Sequence, residues 1–358
     1  MHSTHRPFRL LILAGGGIRG LFQARILQAL EQESGQPITA LFDGVIATSV
    51  GGLNALYLSL ASSNGQPVYS ATQLVNFYQD RPTLNALFHR DLKRRLLTLD
   101  GILGPRYSNA EKADQLHKTF GNARFDQINL PTTIVSFDPE TMLPAFLQNW
   151  DHSTLSHLPV WMVAMVATNP PVVWPSVRIH WKNHTQALSD GALFANQPVD
   201  WFLTKPFIRQ NTHIVVIGTG INPIKQPWSS IRDMGAIGMI RQLFSVGLPS
   251  INARRNQARI TQQAIKKIGY YPDKSRIESF DIINPDLPLT ISINDTSHST
   301  LATLNQIADR FIDNEHEKIH RLAQSLMPVK SVDPIATTNL SPRNAAIKTP
   351  IPQATLSF

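Results

Sequence analysis

Gly44-Val45-Ile46-Ala47-Thr48-Ser49-Val50-Gly51-Gly52 is the stretch whose reading decides the fold. Its first half is apolar and β-branched without alternation, which is how a strand buried on both faces reads. Its second half passes through a serine flanked by small residues into Leu53, Leu56, Tyr57 and Leu60 at helical spacing. A strand that turns into a helix at small-x-Ser-x-Gly is the pattern of a nucleophile elbow. That turn is tight enough to demand small residues two before and two after the serine, and Ala47 and Gly51 meet the demand. Read alone, the same residues also suit a serine N-cap followed by glycines.

Working outward, Arg9–Ala14 reads as another fully buried strand, and Leu21–Glu33 as a helix closed by Gly35 and Pro37. Strand, helix, strand and helix with short connections predict a parallel sheet covered by helices. Further strands are expected at Thr132–Phe137 and His213–Ile217. Thr83–Leu99 reads as an amphipathic helix with Leu84, Leu87, Phe88, Leu92 and Leu96 on one face. Arg90, Lys93, Arg94 and Arg95 lie mostly on the other face, read as solvated, with a membrane-contact or lid role the alternative. One long helix is expected over Ser299–Met327. The prolines at 328, 334, 342, 350 and 352, among many Ser, Thr and Asn, predict a weakly structured tail. The expected organisation is a catalytic core at 7–206, a strand plus helical part at 207–327, and the tail at 328–358.

The chain has 358 residues, no cysteine and a net charge of +8. Absence of cysteine excludes disulfides, thiolate metal sites and cysteine nucleophiles. It suits a cytoplasmic protein, and equally one exported without disulfide machinery. The apolar run Leu10–Ala14 is shorter than the roughly 7–15 residues of a secretory core, and no segment reaches the roughly 18 apolar residues of a membrane span. A basic surface attracts nucleic acids, anionic headgroups and acidic proteins alike, so charge by itself selects no partner.

Two more motifs bear on chemistry. Gly15-Gly16-Gly17-Ile18-Arg19-Gly20 joins the first strand to the first helix. Its backbone N–H groups suit a phosphate or the oxyanion of a tetrahedral intermediate. Ser189-Asp190-Gly191-Ala192, followed by Ala195-Asn196-Gln197-Pro198, contains an Asp-Gly pair that taken alone is a common turn. In this order the three motifs resemble those of the patatin-like phospholipases, over roughly Arg9–Pro206. Leu41-Phe-Asp-Gly-Val-Ile46, Pro105-Arg-Tyr107, Ser136-Phe-Asp138 and Trp161…Ala164…Ala167-Thr-Asn-Pro-Pro171 are similar as well.

The resemblance implies a three-layer α/β fold with a mainly parallel central sheet flanked by helices. It implies Ser49 as nucleophile, Asp190 as its base and Gly15, Gly16 and Gly17 as oxyanion donors, with Arg19, Gly20, Gly51 and Gly191 in support. No cofactor and no metal are expected. The implied partner is a lipid or membrane-surface substrate rather than nucleic acid, and cytoplasmic residence with peripheral membrane association would fit. Two departures are Ala14, where the family often has Asp, and Ala47, where the first glycine of the elbow is usual. Neither removes a catalytic group.

Three rivals compete. A Ser-Asp-His triad would draw its base from His213, His298, His316 or His320. A dinucleotide site would need an acidic residue after the second strand, yet Asp43 precedes that strand. A patatin-like fold without catalysis would act through its surface or tail.

Overall fold

The computed structural model describes residues 6–88, 107–171, 173–192, 212–220, 277–287, 291–328 and 355–357. Its framework is a single sheet. Strand β1 (Phe8–Leu13) lies between β2 (Gly44–Thr48) and β7 (Thr212–Ile217), with β3 (Thr132–Asp138) beyond β2 and β8 (Ile277–Ile283) beyond β7. These five are parallel. Beyond β3 the sheet continues antiparallel through β6 (His184–Asp190), β5 (Val177–Trp181) and β9 (Thr355–Ser357), while β4 (Leu143–Gln148) forms a hairpin with β3. The fold is therefore mixed α/β with a mostly parallel central sheet flanked by helices.

The unbroken apolar runs follow from burial on both sides. Leu11, Leu13, Ala47, Ile134, Val215 and Ile217 join the main core, and Leu10, Ile12, Ile46, Val135, Ile214 and Val216 form a separate cluster. On the main-core side lie α1 (Gly20–Ser34) and α3 (Val50–Ser59), joined by α2 (Ile38–Leu41) and β2, with α4 (Ala71–Gln79) against α1. Gly35 ends α1 in the left-handed conformation, φ 64°, and its N–H bonds the Glu31 carbonyl. Helices α5 (Arg81–Leu87), α6 (Ala110–Phe120) and α7 (Val160–Ala167) extend this layer.

The strand expectations hold at β1, β2, β3 and β7 to within one residue at either end. The helix expected over Ser299–Met327 is instead two, α8 (His298–Asn314) and α9 (His316–Leu326), parted at Glu315. Asp313 and Asn314 just before the break have side chains that compete for backbone hydrogen bonds, and both helices rest on α1 through polar contacts, Asp309 with Arg25 and His316 and His320 with Glu33. Of the helix expected over Thr83–Leu99, the described part is α5, which Asp80 caps through the Thr83 N–H, with Leu84 and Leu87 buried. The basic cluster Arg90, Lys93, Arg94 and Arg95 lies outside the described residues, as does Ala195–Pro198. Of the tail, Thr355–Ser357 is described and pairs with β5.

Candidate active site

All five parallel strands end along one edge of the sheet, and the candidate residues gather there. Thr48 is level with Val135, which puts Ser49 one step further along, beside Ser136. Ser136 in turn pairs directly with Asp190 on β6. Ser49, Ser136 and Asp190 thus occupy one row across three adjacent strands, although 141 positions separate the two outer residues.

Ser49 has φ 55° and ψ −130°, a backbone conformation that non-glycine residues seldom adopt. Such strain persists where the surroundings enforce it, and it clusters at functional sites. Here the enforcement comes from the turn out of β2 into α3. Gly51 passes under β1 so closely that a Cβ would stand 2.5 Å from the Leu13 carbonyl oxygen. Ala47 fits its position fully buried.

Asp190 closes β6 and is fully buried. Its N–H bonds the Asn169 carbonyl at 3.1 Å, and Oδ1 accepts the Ala192 N–H at 2.8 Å. Oδ2 is buried with no hydrogen-bond partner among the described residues, and so is the hydroxyl of Ser136 opposite. Burial pushes the Asp190 carboxyl up to about 7, against the opposing influences of the Ser49 hydroxyl, the Ala192 N–H and the charge of Lys112. Gly191 lies close over β3, where a Cβ would meet the Val135 carbonyl at 2.6 Å.

The glycine loop leaves β1 beside this row. The N–H groups of Ala14, Ile18 and Arg19 are spent on the carbonyls of Ile217, Ile293 and Gly16. Those of Gly15, Gly16 and Gly17 have no acceptor among the described residues. Thr219 fastens the loop through a 2.6 Å bond to the Gly15 carbonyl, and Gly17 turns it at φ 57°. Arg19 is buried and bonds the Ile291 carbonyl, with burial drawing its guanidinium down to about 10. It therefore ties the loop to the segment before α8.

Behind the loop stands a buried amide network that the sequence reading missed. Gln23 donates to the carbonyls of Ala14 (2.9 Å) and Ile217 (2.8 Å). Asn54 donates to Gln23 (3.0 Å) and to the Gly20 carbonyl (3.2 Å), and the Tyr78 hydroxyl donates to Asn54 at 2.7 Å. Asn54→Ala strands the Gln23 oxygen and the Tyr78 hydroxyl in a fully buried place. It is expected to cost about 1–3 kcal/mol, seen as a lower urea midpoint; an unchanged midpoint would refute this role. Lys112 was missed too, while Asn169 was noted only as part of Ala167–Pro171, without a role. The signal for Lys112 was its place on the face of α6 that also carries Leu116 and Phe120.

The four candidate histidines are not brought to Ser49. His213 pairs with Asp281 at the other end of β7, six rungs or about 20 Å below the row of Ser49. His316 and His320 flank Glu33, about 20 Å along α1 from its start at Gly20. His298 lies exposed in the first turn of α8. Among the described residues no group of three or more His, Asp or Glu could hold a metal ion, and no helix is long and apolar enough to cross a membrane.

Comparison with known proteins adds relatives. A sequence model of the Patatin family, described as patatin-like phospholipase, matches residues 11–203, more than half of the chain. Patatin-like protein 2 of Oryza sativa subsp. indica is 25% identical over 246 residues, covering 60% of this chain and 61% of that protein. A cGAMP-activated phospholipase of Pseudomonas aeruginosa (strain BWHPSA011 / Pa011) is 29% identical over 195 residues, covering 53% of this chain and 54% of that protein. The chain thus spans less than two thirds of the length of these relatives. Among solved structures, human GIVD cytosolic phospholipase A2 aligns with a TM-score of 0.46 at 10% identity, over 90% of this chain and 60% of that one.

Proposed function

Because this chain belongs to the patatin-like phospholipase family, we propose that it hydrolyses fatty-acyl esters of lipids with Ser49 as nucleophile and Asp190 as the base that serves it. The observation that carries this reading is a strained serine near enough to influence a fully buried carboxyl, one oxygen of which has no hydrogen-bond partner among the described residues. A serine hydroxyl is a weak nucleophile until a base takes its proton. An exposed aspartate, with a pKa near 3.9, is a poor base, whereas one raised to about 7 is matched to neutral pH.

In the proposed reaction Ser49 Oγ attacks the acyl carbon and its proton passes to Asp190. The carbonyl oxygen becomes an oxyanion facing the free N–H groups of Gly15–Gly17, and it collapses as the alcohol leaves with the proton from Asp190. Water then adds to the acyl-serine, giving its proton to Asp190, and the second collapse returns that proton to Ser49 as the fatty acid departs. The free N–H groups support an oxyanion role, since each such donor is worth roughly 10²–10³ in rate.

The direct test is mass spectrometry of lipid products from purified protein given phospholipid, lysophospholipid, galactolipid and neutral glyceride, beside Ser49→Ala. Fatty acid released by the wild type and not by the variant is expected. No release from any of the four would overturn the reading. A pH dependence follows. Asp190 must be ionised to accept a proton, so kcat/KM should climb from pH 5 to 8 with its midpoint near the carboxyl value of about 7. A profile level across that range would remove Asp190 from the base position.

A further inference from the structure

Lys112 places an ionisable amine in the protein interior. It is 2% exposed on α6, and its ammonium donates to the Thr168 carbonyl and to Asn169 Oδ1 (2.5 Å) while lying 4.3 Å from the centre of the Trp174 ring. A buried ammonium is costly unless its protons are taken and its charge is answered. Asn169 connects it to the site. The Asn169 carbonyl accepts both the Asp190 N–H (3.1 Å) and the Ser189 hydroxyl (2.6 Å), and its amide is held by donating to Asn109 Oδ1 (2.7 Å) and the Pro175 carbonyl (3.0 Å). One residue therefore grips the lysine with its side chain and the end of β6 with its backbone.

We propose that Lys112 is a positioning residue for Asp190, holding the end of β6 through Asn169 and setting its buried charge against the Asp190 carboxylate. The proposal rests on Asp190 being the base. The electrostatics agree in sign. The Lys112 charge opposes the burial that raises Asp190, and the Asp190 charge opposes the burial that draws Lys112 well below the ordinary lysine value. Among the described residues, neighbouring charges have other partners. Arg81 on α5 bonds the Thr296 carbonyl, Asp138 on β3 accepts from Gln186, and α7 has no ionisable side chain. Glu111, Asp114, His117 and Lys118 share α6 with Lys112.

Removing the charge should therefore make Asp190 harder to ionise and shift the acid limb of kcat/KM upward. For Lys112→Met and Lys112→Gln the expected shift is about half a unit to one unit, so that activity at pH 6 relative to the plateau falls about three- to tenfold. KM should change little, and Lys112→Arg should return the limb toward the wild type. A limb that stays in place in both uncharged variants overturns the proposal, because a purely structural lysine would lower stability without moving it. Should neither variant fold, the same coupling is read in the other direction by nitrogen NMR of the lysine ammonium groups. The titration of Lys112 should fall in Asp190→Asn relative to the wild type, and an unchanged titration overturns the proposal. That measurement needs no turnover, so it separates failure of this coupling from failure of Asp190 as the base.

Discussion

Asp190→Asn is expected to lower kcat by roughly 10²–10⁴-fold, the usual contribution of a general base, while leaving the protein folded. Asparagine has nearly the shape of aspartate and keeps an oxygen for the Ala192 N–H that Oδ1 now accepts. What it lacks is the capacity to take a proton from Ser49. No histidine substitution should come near this loss. His213 is committed to Asp281 below the active-site row, and His316 and His320 to Glu33 at the far end of α1. Steady-state rates on a soluble short-chain ester, with circular dichroism as the control for folding, decide the matter. If a folded Asp190→Asn keeps its rate to within tenfold, or if His213→Gln loses as much, the base has been misassigned.

The second large effect belongs to Ser49. Ser49→Ala and Ser49→Gly should both lose labelling by a fluorophosphonate probe and all measurable lipid turnover, since neither offers an oxygen to attack with. Their stabilities should differ. A backbone at φ 55° and ψ −130° costs a residue with a Cβ about 1–3 kcal/mol. Alanine keeps that cost, whereas glycine escapes most of it and gives back about 0.5–1 kcal/mol through the greater freedom of its unfolded chain. Ser49→Gly is thus expected to melt above Ser49→Ala, by about 1 kcal/mol in unfolding free energy. Equal melting temperatures would mean that the elbow stores no strain. Labelling that persists in Ser49→Ala would mean that another residue is the nucleophile.

The parallel half of the sheet was legible because burial on both faces leaves a run such as Arg9–Ala14, and glycine turns punctuate it. The antiparallel part was not read. In β5 the signal was present: Val177, Ile179 and Trp181 are buried while Arg178 is exposed and His180 is half-buried. Its turn, however, is made by Lys182 in the left-handed region, without the Asn-Gly or Asp-Gly pair that advertises a hairpin. Strand β4 carries Pro144, which an edge strand tolerates and a sequence reading takes for a break. The site divides in the same way. Ser49, Gly51 and the glycine loop announce themselves through local turn demands. Asp190 does so only through its motif, since what makes it unusual is burial by distant strands. Lys112 and the Gln23–Asn54–Tyr78 network depend on contacts between helices, which local spacing does not encode.

The row formed by Ser49, Ser136 and Asp190 also works as a ruler. Neighbouring strands stand about 4.8 Å apart, so the two outer backbones are roughly 9.6 Å from each other. In the proposed dyad, two short side chains and a single proton have to span that interval. An imidazole inserted there would force the strands apart, and glutamate at 190 would carry its carboxyl past the hydroxyl it has to meet. A one-residue slip of β6 would turn Asp190 to the opposite face of the sheet, so the span from the proposed base to the proposed nucleophile is a property of strand pairing. Variants that loosen the β3–β6 pairing, even far from either residue, should therefore reduce catalysis before they reduce stability.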